Sequence, residues 1–146
     1  MSKRPSWDEH GLNLAEAAKG RANCTRRKVG AVLMLADHSV VVTGYNGGPS
    51  GGPSCLDGEC PRGRMSTLDL PPNSPYDSGS GLCVALHAEW NVLLRSSWHQ
   101  LNGATLYVTE EPCHLCRILI AGTGIIRVVW PDGEYTQIIV DRKKNA

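Results

Sequence analysis

After Trp7-Asp8-Glu9, apolar residues at Leu12, Leu14, Ala15, Ala17 and Ala18 recur at the spacing of an amphipathic helix that ends by about Cys24, with Asp8 as its cap. Residues 29–35 and 40–43 are β-branched apolar runs separated by Ala36-Asp37-His38-Ser39, which predicts an antiparallel hairpin of two largely buried strands. Periodicity then stops. From Tyr45 to about Gly81 the chain is rich in Gly, Pro, Ser and Asp and reads as a long loop. A loop of that length in a compact domain is either functional or disordered, and Cys55 and Cys60 inside it point to something that ties it down. Patterning resumes with a helix over about residues 82–98, a strand over 104–109, a helix over 112–121 and a strand over 125–130, whereas 134–140 follows neither period. Helices alternating with short strands after a hairpin predict an α/β layered domain with a mixed sheet. Without a repeat or linker, residues 1–146 read as a single domain.

Composition narrows the function more than the fold. Of 146 residues, 41% are hydrophobic and 20% charged, which suits a domain with one core. The first residues lack the apolar stretch of a signal peptide, and no run approaches the roughly 18 apolar residues of a membrane span, so the expected location is the cytoplasm. Six cysteines in a reducing compartment are better explained by metal binding or catalysis than by disulfides. A net charge of +1 lacks the footprint of a protein that tracks long nucleic acid and favours a small substrate. Arg26-Arg27-Lys28 is either a phosphate site or a solvated loop.

The candidate chemistry lies in His87-Ala88-Glu89 and, after one strand, Pro112-Cys113-His114-Leu115-Cys116, each at the start of a predicted helix. Cys113 and Cys116 are spaced to share one helix face, and the positive end of the helix dipole favours their thiolates. One imidazole and two thiolates leave a tetrahedral zinc site with an open corner for water, and a carboxylate outside that set, Glu89, is suited to carry the protons. Taken singly, a CxxC pair, a histidine before a helix and a first-turn glutamate are each more often structural. Together, HxE followed by PCxxC is the signature of zinc-dependent base deaminases.

The chain resembles the deoxycytidylate deaminase branch of the cytidine deaminase superfamily over roughly residues 5–130. His87-Ala88-Glu89-Trp90-Asn91 is similar to that family's HAE-x-N segment, and Thr109 to Cys116 to its PCxxC segment. Cys24 to Val32, with its C-x-R-R-x-V-G-A pattern, and Gly44-Tyr45-Asn46-Gly47 resemble two earlier motifs typical of enzymes acting on deoxycytidine monophosphate. The resemblance implies a three-layer α/β/α fold with a five-stranded mixed sheet, and hydrolysis of a cytosine amine to uracil and ammonia. It further implies that Asn46 lies by the nucleoside, that Arg26 lies near its phosphate, and that the Ala88 backbone meets the pyrimidine. For Asn46 a turn role is equally open, since Asn-Gly is a strong turn signal. A homo-oligomer, often a hexamer, and regulation by nucleoside triphosphates are also implied, with no effector site located.

Cys24, Cys55, Cys60 and Cys83 remain outside the catalytic motifs. The resemblance implies a second, structural zinc that pins the long loop, and these four form its candidate ligand set. Alternatives stay open: buried cysteines are often only small hydrophobes, and His10, His38, His99 and His114 are other potential ligands. Cys83 and the Gly-, Ser- and Pro-rich loop depart from the family pattern. Three functions are therefore carried forward: a nucleotide deaminase acting on dCMP, CMP or a modified cytosine nucleotide; a deaminase of bases in tRNA or single-stranded DNA, disfavoured by scarce aromatics and the absence of Phe; and a noncatalytic zinc module, disfavoured by Glu89.

Overall fold

The computed structural model describes residues 3–72, 74 and 83–137. The elements in chain order are α1 (Trp7–Lys19), β1 (Gly30–Met34), β2 (Val40–Tyr45), α2 (Ala88–Arg95), α3 (Trp98–Leu101), β3 (Thr105–Val108), α4 (His114–Ala121), β4 (Arg127–Trp130) and β5 (Gly133–Thr136). The five strands form one sheet in the order β2-β1-β3-β4-β5. β1 is antiparallel to both β2 and β3, β3 and β4 are parallel, and β5 returns antiparallel to β4. The parallel pair is the one joined through a helix, α4, as a parallel connection requires.

Alternation along the strands supplies both faces of the sheet. Ala31, Leu33, Leu106, Val108 and Val128 face a core completed by Ala88 and Val92 of α2 and Cys116 and Ile120 of α4. Val32, Met34, Tyr107 and Val129 face the opposite side, where Ala15 and the half-buried Leu12 of α1 cover them. The result is the expected helix, sheet, helix layering, with five mixed strands.

Element boundaries differ from the sequence reading in instructive ways. Ser6, not Asp8, caps α1: its Oγ accepts from the Glu9 amide at 3.1 Å. Asp8 instead receives Arg127 at 2.7 and 2.6 Å and the Tyr107 hydroxyl at 2.7 Å, which ties α1 to β3 and β4. The expected helix over 82–98 is three pieces. Leu82 lies outside the described residues, residues 83–87 are not helical, and α2 is followed by a separate turn of helix that Ser97 and Gln100 close with a capping box. Leu86 exchanges backbone hydrogen bonds with Gly47 at 3.1 and 2.7 Å, bringing the two ends of the long loop together beside β2. Pro112 stands outside α4, which begins at His114. The ambiguous tail contains β5, and residues 138–140 lie outside the described residues.

Candidate metal and substrate site

Two helix starts meet at the candidate site. His87 is the N-cap residue of α2 and Cys113 that of α4, both with extended backbone and neither with a side-chain hydrogen bond that caps its helix. An N-cap residue normally satisfies a free amide in that way; here both side chains point toward each other instead. The His87 Nδ1 lies 3.2 Å from Cys116 Sγ and 3.5 Å from Cys113 Sγ, and the two sulfurs are 3.4 Å apart. All three ligand atoms fall within 4.8 Å of one another. That close approach of α2 to the sheet needs Gly44, where an added Cβ would sit 2.5 Å from the Ala88 carbonyl.

The donor set fits zinc. His87 is 5% exposed, and burial, aided by the nearby Arg27 charge, lowers its pKa to about 4, so the imidazole is neutral and offers a lone pair. Burial, with the Glu89 carboxylate next, pushes the Cys116 thiol far above its ordinary value. A sulfur so placed becomes a thiolate only beside a cation, and the N-terminus of α4 together with a metal would provide one.

Glu89 follows one residue after Ala88 in the first turn of α2 and is 4% exposed. Burial raises its pKa, opposed by a hydrogen bond with the Cys116 thiol. Its carboxyl lines a small cavity of about 20 Å³ together with Arg27, Val29, His87, Ala88, Glu110, Glu111 and Cys113. Arg27 holds Glu110 there across 3.7 Å.

Other residues singled out in the sequence have different surroundings. The Arg26 guanidinium, expected near a phosphate, donates to the loop carbonyls of Met65 and Pro71 at 3.1 and 3.2 Å and to that of Leu70. Its neighbour Arg27 is the one lining the cavity. Asn46 is fully buried and receives the Val29 amide at 2.8 Å while donating to the Arg27 carbonyl at 2.7 Å, so it braces the strip that forms the cavity wall. Sequence reasoning assigned no role to Asn91, whose Nδ2 donates to the Tyr45 carbonyl at 2.8 Å and locks α2 to β2. It also passed over Arg117, which donates to the Pro112 carbonyl at 3.3 Å and to Glu111 at 3.0 Å while stacking 4.7 Å from the Tyr135 ring. Arg117 thereby clamps the cysteine-bearing turn. Asn91 stood in a quoted motif, but its partner Tyr45 is 46 residues away on β2, and the Arg117 stack depends on Tyr135 of β5; spacing encodes neither contact.

The remaining cysteines gather at a second place. Cys24, Cys55 and Cys60 form a buried cluster with Cys83 packed against it, and the four line a cavity of about 30 Å³ with Arg26, Arg27, Arg62, Gly63 and Ser74. None is in a disulfide. Each sulfur faces backbone N–H groups: Cys24 those of Arg26 and Arg27, both at 3.4 Å; Cys55 that of Thr25 at 3.3 Å; Cys60 that of Gly63 at 3.4 Å; Cys83 that of Ala85 at 3.4 Å. Burial raises the pKa of Cys55 and of Cys83. At Cys60 burial is outweighed by the amides of Val84, Gly63 and Arg62, and its pKa falls. A Cβ at Gly63 would lie 2.6 Å from the Cys55 sulfur, so the loop closes on the thiols only with glycine there. Each sulfur thus accepts at least one backbone amide, while among the described residues the ligand atoms that converge within 4.8 Å of one another are those of His87, Cys113 and Cys116. His10 and His38 lie elsewhere, against Trp7.

Comparison with known proteins gives a consistent result. Residues 5–131 match the family described as the cytidine and deoxycytidylate deaminase zinc-binding region. The deoxycytidylate deaminase of Mycobacterium phage D29 is 52% identical over 128 residues, covering 88% of this chain and 96% of that protein. The deoxycytidylate deaminase of Schizosaccharomyces pombe is 40% identical over 130 residues, covering 87% of this chain but only 37% of that longer protein. Among solved structures, the dCMP deaminase of cyanophage S-TIM5 in complex with dCMP and dUMP superposes with a TM-score of 0.60 at 27% identity, covering 88% of this chain and 83% of that one.

Proposed function

This chain belongs to the cytidine and deoxycytidylate deaminase family, and from that premise we propose that it hydrolyses the 4-amino group of a cytosine nucleotide, converting dCMP to dUMP and ammonia. The observation that carries this reading is a buried carboxyl, Glu89, lying outside a convergent His87–Cys113–Cys116 ligand set and facing the same cavity. Zinc, which those three side chains would hold, would supply the Lewis acidity that makes water nucleophilic near neutral pH. The Glu89 carboxylate is placed to move both protons of the attacking water, one to ring N3 and one to the amino group, as the C4–O bond forms and the C4–N bond breaks, so that ammonia leaves and the uracil ring keeps the oxygen. The main chain of Ala88, between ligand and proton carrier, borders the cavity and is suited to meet the pyrimidine edge.

Arg27 is the residue we assign to the substrate phosphate in place of Arg26. It brings a permanent positive charge, paired with Glu110 at 3.7 Å, to the cavity it shares with His87 and Glu89, whereas the Arg26 guanidinium points to three loop carbonyls away from that cavity. Asn46 then acts on substrate through the Arg27–Val29 backbone that it holds. Cys24, Cys55, Cys60 and Cys83 are the ligands of a second, structural zinc, supported by their amide-ringed sulfurs and by the glycine that lets the loop approach them.

A homo-oligomer is supported by α4, whose Leu115, Ile118 and Leu119 are 42%, 55% and 46% exposed. Among the described residues no helix is long and apolar enough to cross a membrane, and six free thiols are in keeping with a reducing cytoplasm.

The test is ammonia release from dCMP, CMP, both nucleosides and free cytosine, beside a Glu89→Ala control. dCMP is expected to be the best substrate and the control to lose at least about a hundredfold in kcat. A control as active as the parent removes Glu89 from the mechanism, and a preference for free cytosine removes the nucleotide assignment.

A further inference from the structure

We infer that Trp90 is a positioning residue for the metal centre, its indole lying flat on the His87 imidazole and setting the plane in which Nδ1 faces the two cysteines. The rings are parallel to within 5°, with centroids 3.9 Å apart. Trp90 follows His87 by three residues, so the first turn of α2 returns it to the side on which the imidazole lies. The torsion joining an imidazole to its Cβ is broad and nearly two-fold, so covalent geometry alone leaves the direction of Nδ1 open. His87 makes no capping hydrogen bond to the first amides of α2. The indole face supplies such a constraint from the first turn of α2: one side of the imidazole is covered, and turning the ring would break the stack.

A second observation separates this role from simple filling of space. The Trp90 Nε1–H is buried and has no hydrogen-bond partner among the described residues. An unsatisfied donor costs free energy, and a leucine or phenylalanine would pack against the same core without that cost. What the indole adds is a broad flat surface for the His87 ring. Groups that orient a metal ligand without touching the metal govern affinity and the ligand field.

The inference rests on His87 being a ligand of the catalytic metal, and its test keeps the two apart. The full chain is stripped of metal and reloaded with cobalt(II), and the visible d–d spectrum and apparent affinity against a competing chelator are read for the parent, Trp90→Phe, Trp90→Leu and Trp90→Met. The spectrum of His87→Ala is subtracted to remove cobalt bound elsewhere. Trp90→Phe should retain the parent spectrum and bind within about threefold. Trp90→Leu and Trp90→Met should bind about tenfold or more weakly with a changed spectrum. If both aliphatic variants match the parent in spectrum and affinity, whatever happens to their thermal stability, the positioning role is overturned. If His87→Ala itself gives the parent spectrum, the ligand assignment beneath it fails instead.

Discussion

The molecule gathers cysteine thiols in two places, built on opposite principles. His87, Cys113 and Cys116 project from the starts of α2 and α4, helices already seated on the sheet by Ala88, Val92 and Ile120. Their geometry is inherited from a packed core. Cys24, Cys55, Cys60 and Cys83 come from segments with no helix or strand of their own, and their neighbours are chiefly backbone amides and one another. A metal at the first place is placed by the fold, while at the second it would hold the fold in place, as in small domains that order around zinc. Ligand chemistry alone therefore does not reveal what a metal is for; the support behind the ligands does.

The sharpest way to break this contrast is the same thiol-to-hydroxyl exchange made at each place. Cys113→Ser should lower dCMP turnover at least about a hundredfold while the long loop resists protease as in the parent. Cys60→Ser should reduce zinc from two to one per chain and expose the buried Arg62 to trypsin, with the sheet still melting cooperatively. Two zinc ions retained by Cys60→Ser would remove the second centre. A smaller effect separates the adjacent arginines. Arg27→Ala should raise KM for dCMP about tenfold or more, a loss of about 1.4 kcal/mol, without doing so for deoxycytidine. Arg26→Ala should instead loosen the loop, read as faster tryptic cleavage; the reverse assignment of the two would return the phosphate to Arg26.

The smallest expected effect tests whether the sheet-based half depends on any one polar contact. Hydrogen bonding from Arg127 lowers the Asp8 pKa, against the opposing effect of burial. A depressed carboxyl contributes fully above its ordinary value near 3.9 and loses that contribution as pH falls through its folded value. Asp8→Asn should therefore cost about 1 kcal/mol at neutral pH, and denaturation curves of variant and parent should converge only in acid. A gap persisting at low pH would assign the effect to packing instead of charge.

How much of this could be read in advance depended on how local the cause was. The hairpin, β3, β4 and the three-ligand set were legible because alternation and motif spacing are short-range properties. The apolar residues before His87 continued the pattern of α2, yet His87 must be extended to act as an N-cap, so the helix starts later than its pattern suggests. Asp8 looked like a cap because its true partner, Arg127, is 119 residues away. β5 was hidden because no residue in it is fully buried, as expected of an edge strand. Which of Arg26 and Arg27 faces the cavity turned on loop carbonyls that no spacing encodes, and Trp90 reads on a helical wheel as one more apolar residue.

The paired hydrogen bonds between Gly47 and Leu86 make the excursion they enclose a side branch whose root is pinned next to His87. Lengthening such a branch away from its cysteines and the carbonyls that hold Arg26 adds closure entropy of about 0.6 kcal/mol for each doubling. Insertions away from those contacts should therefore leave the chemistry at its base undisturbed.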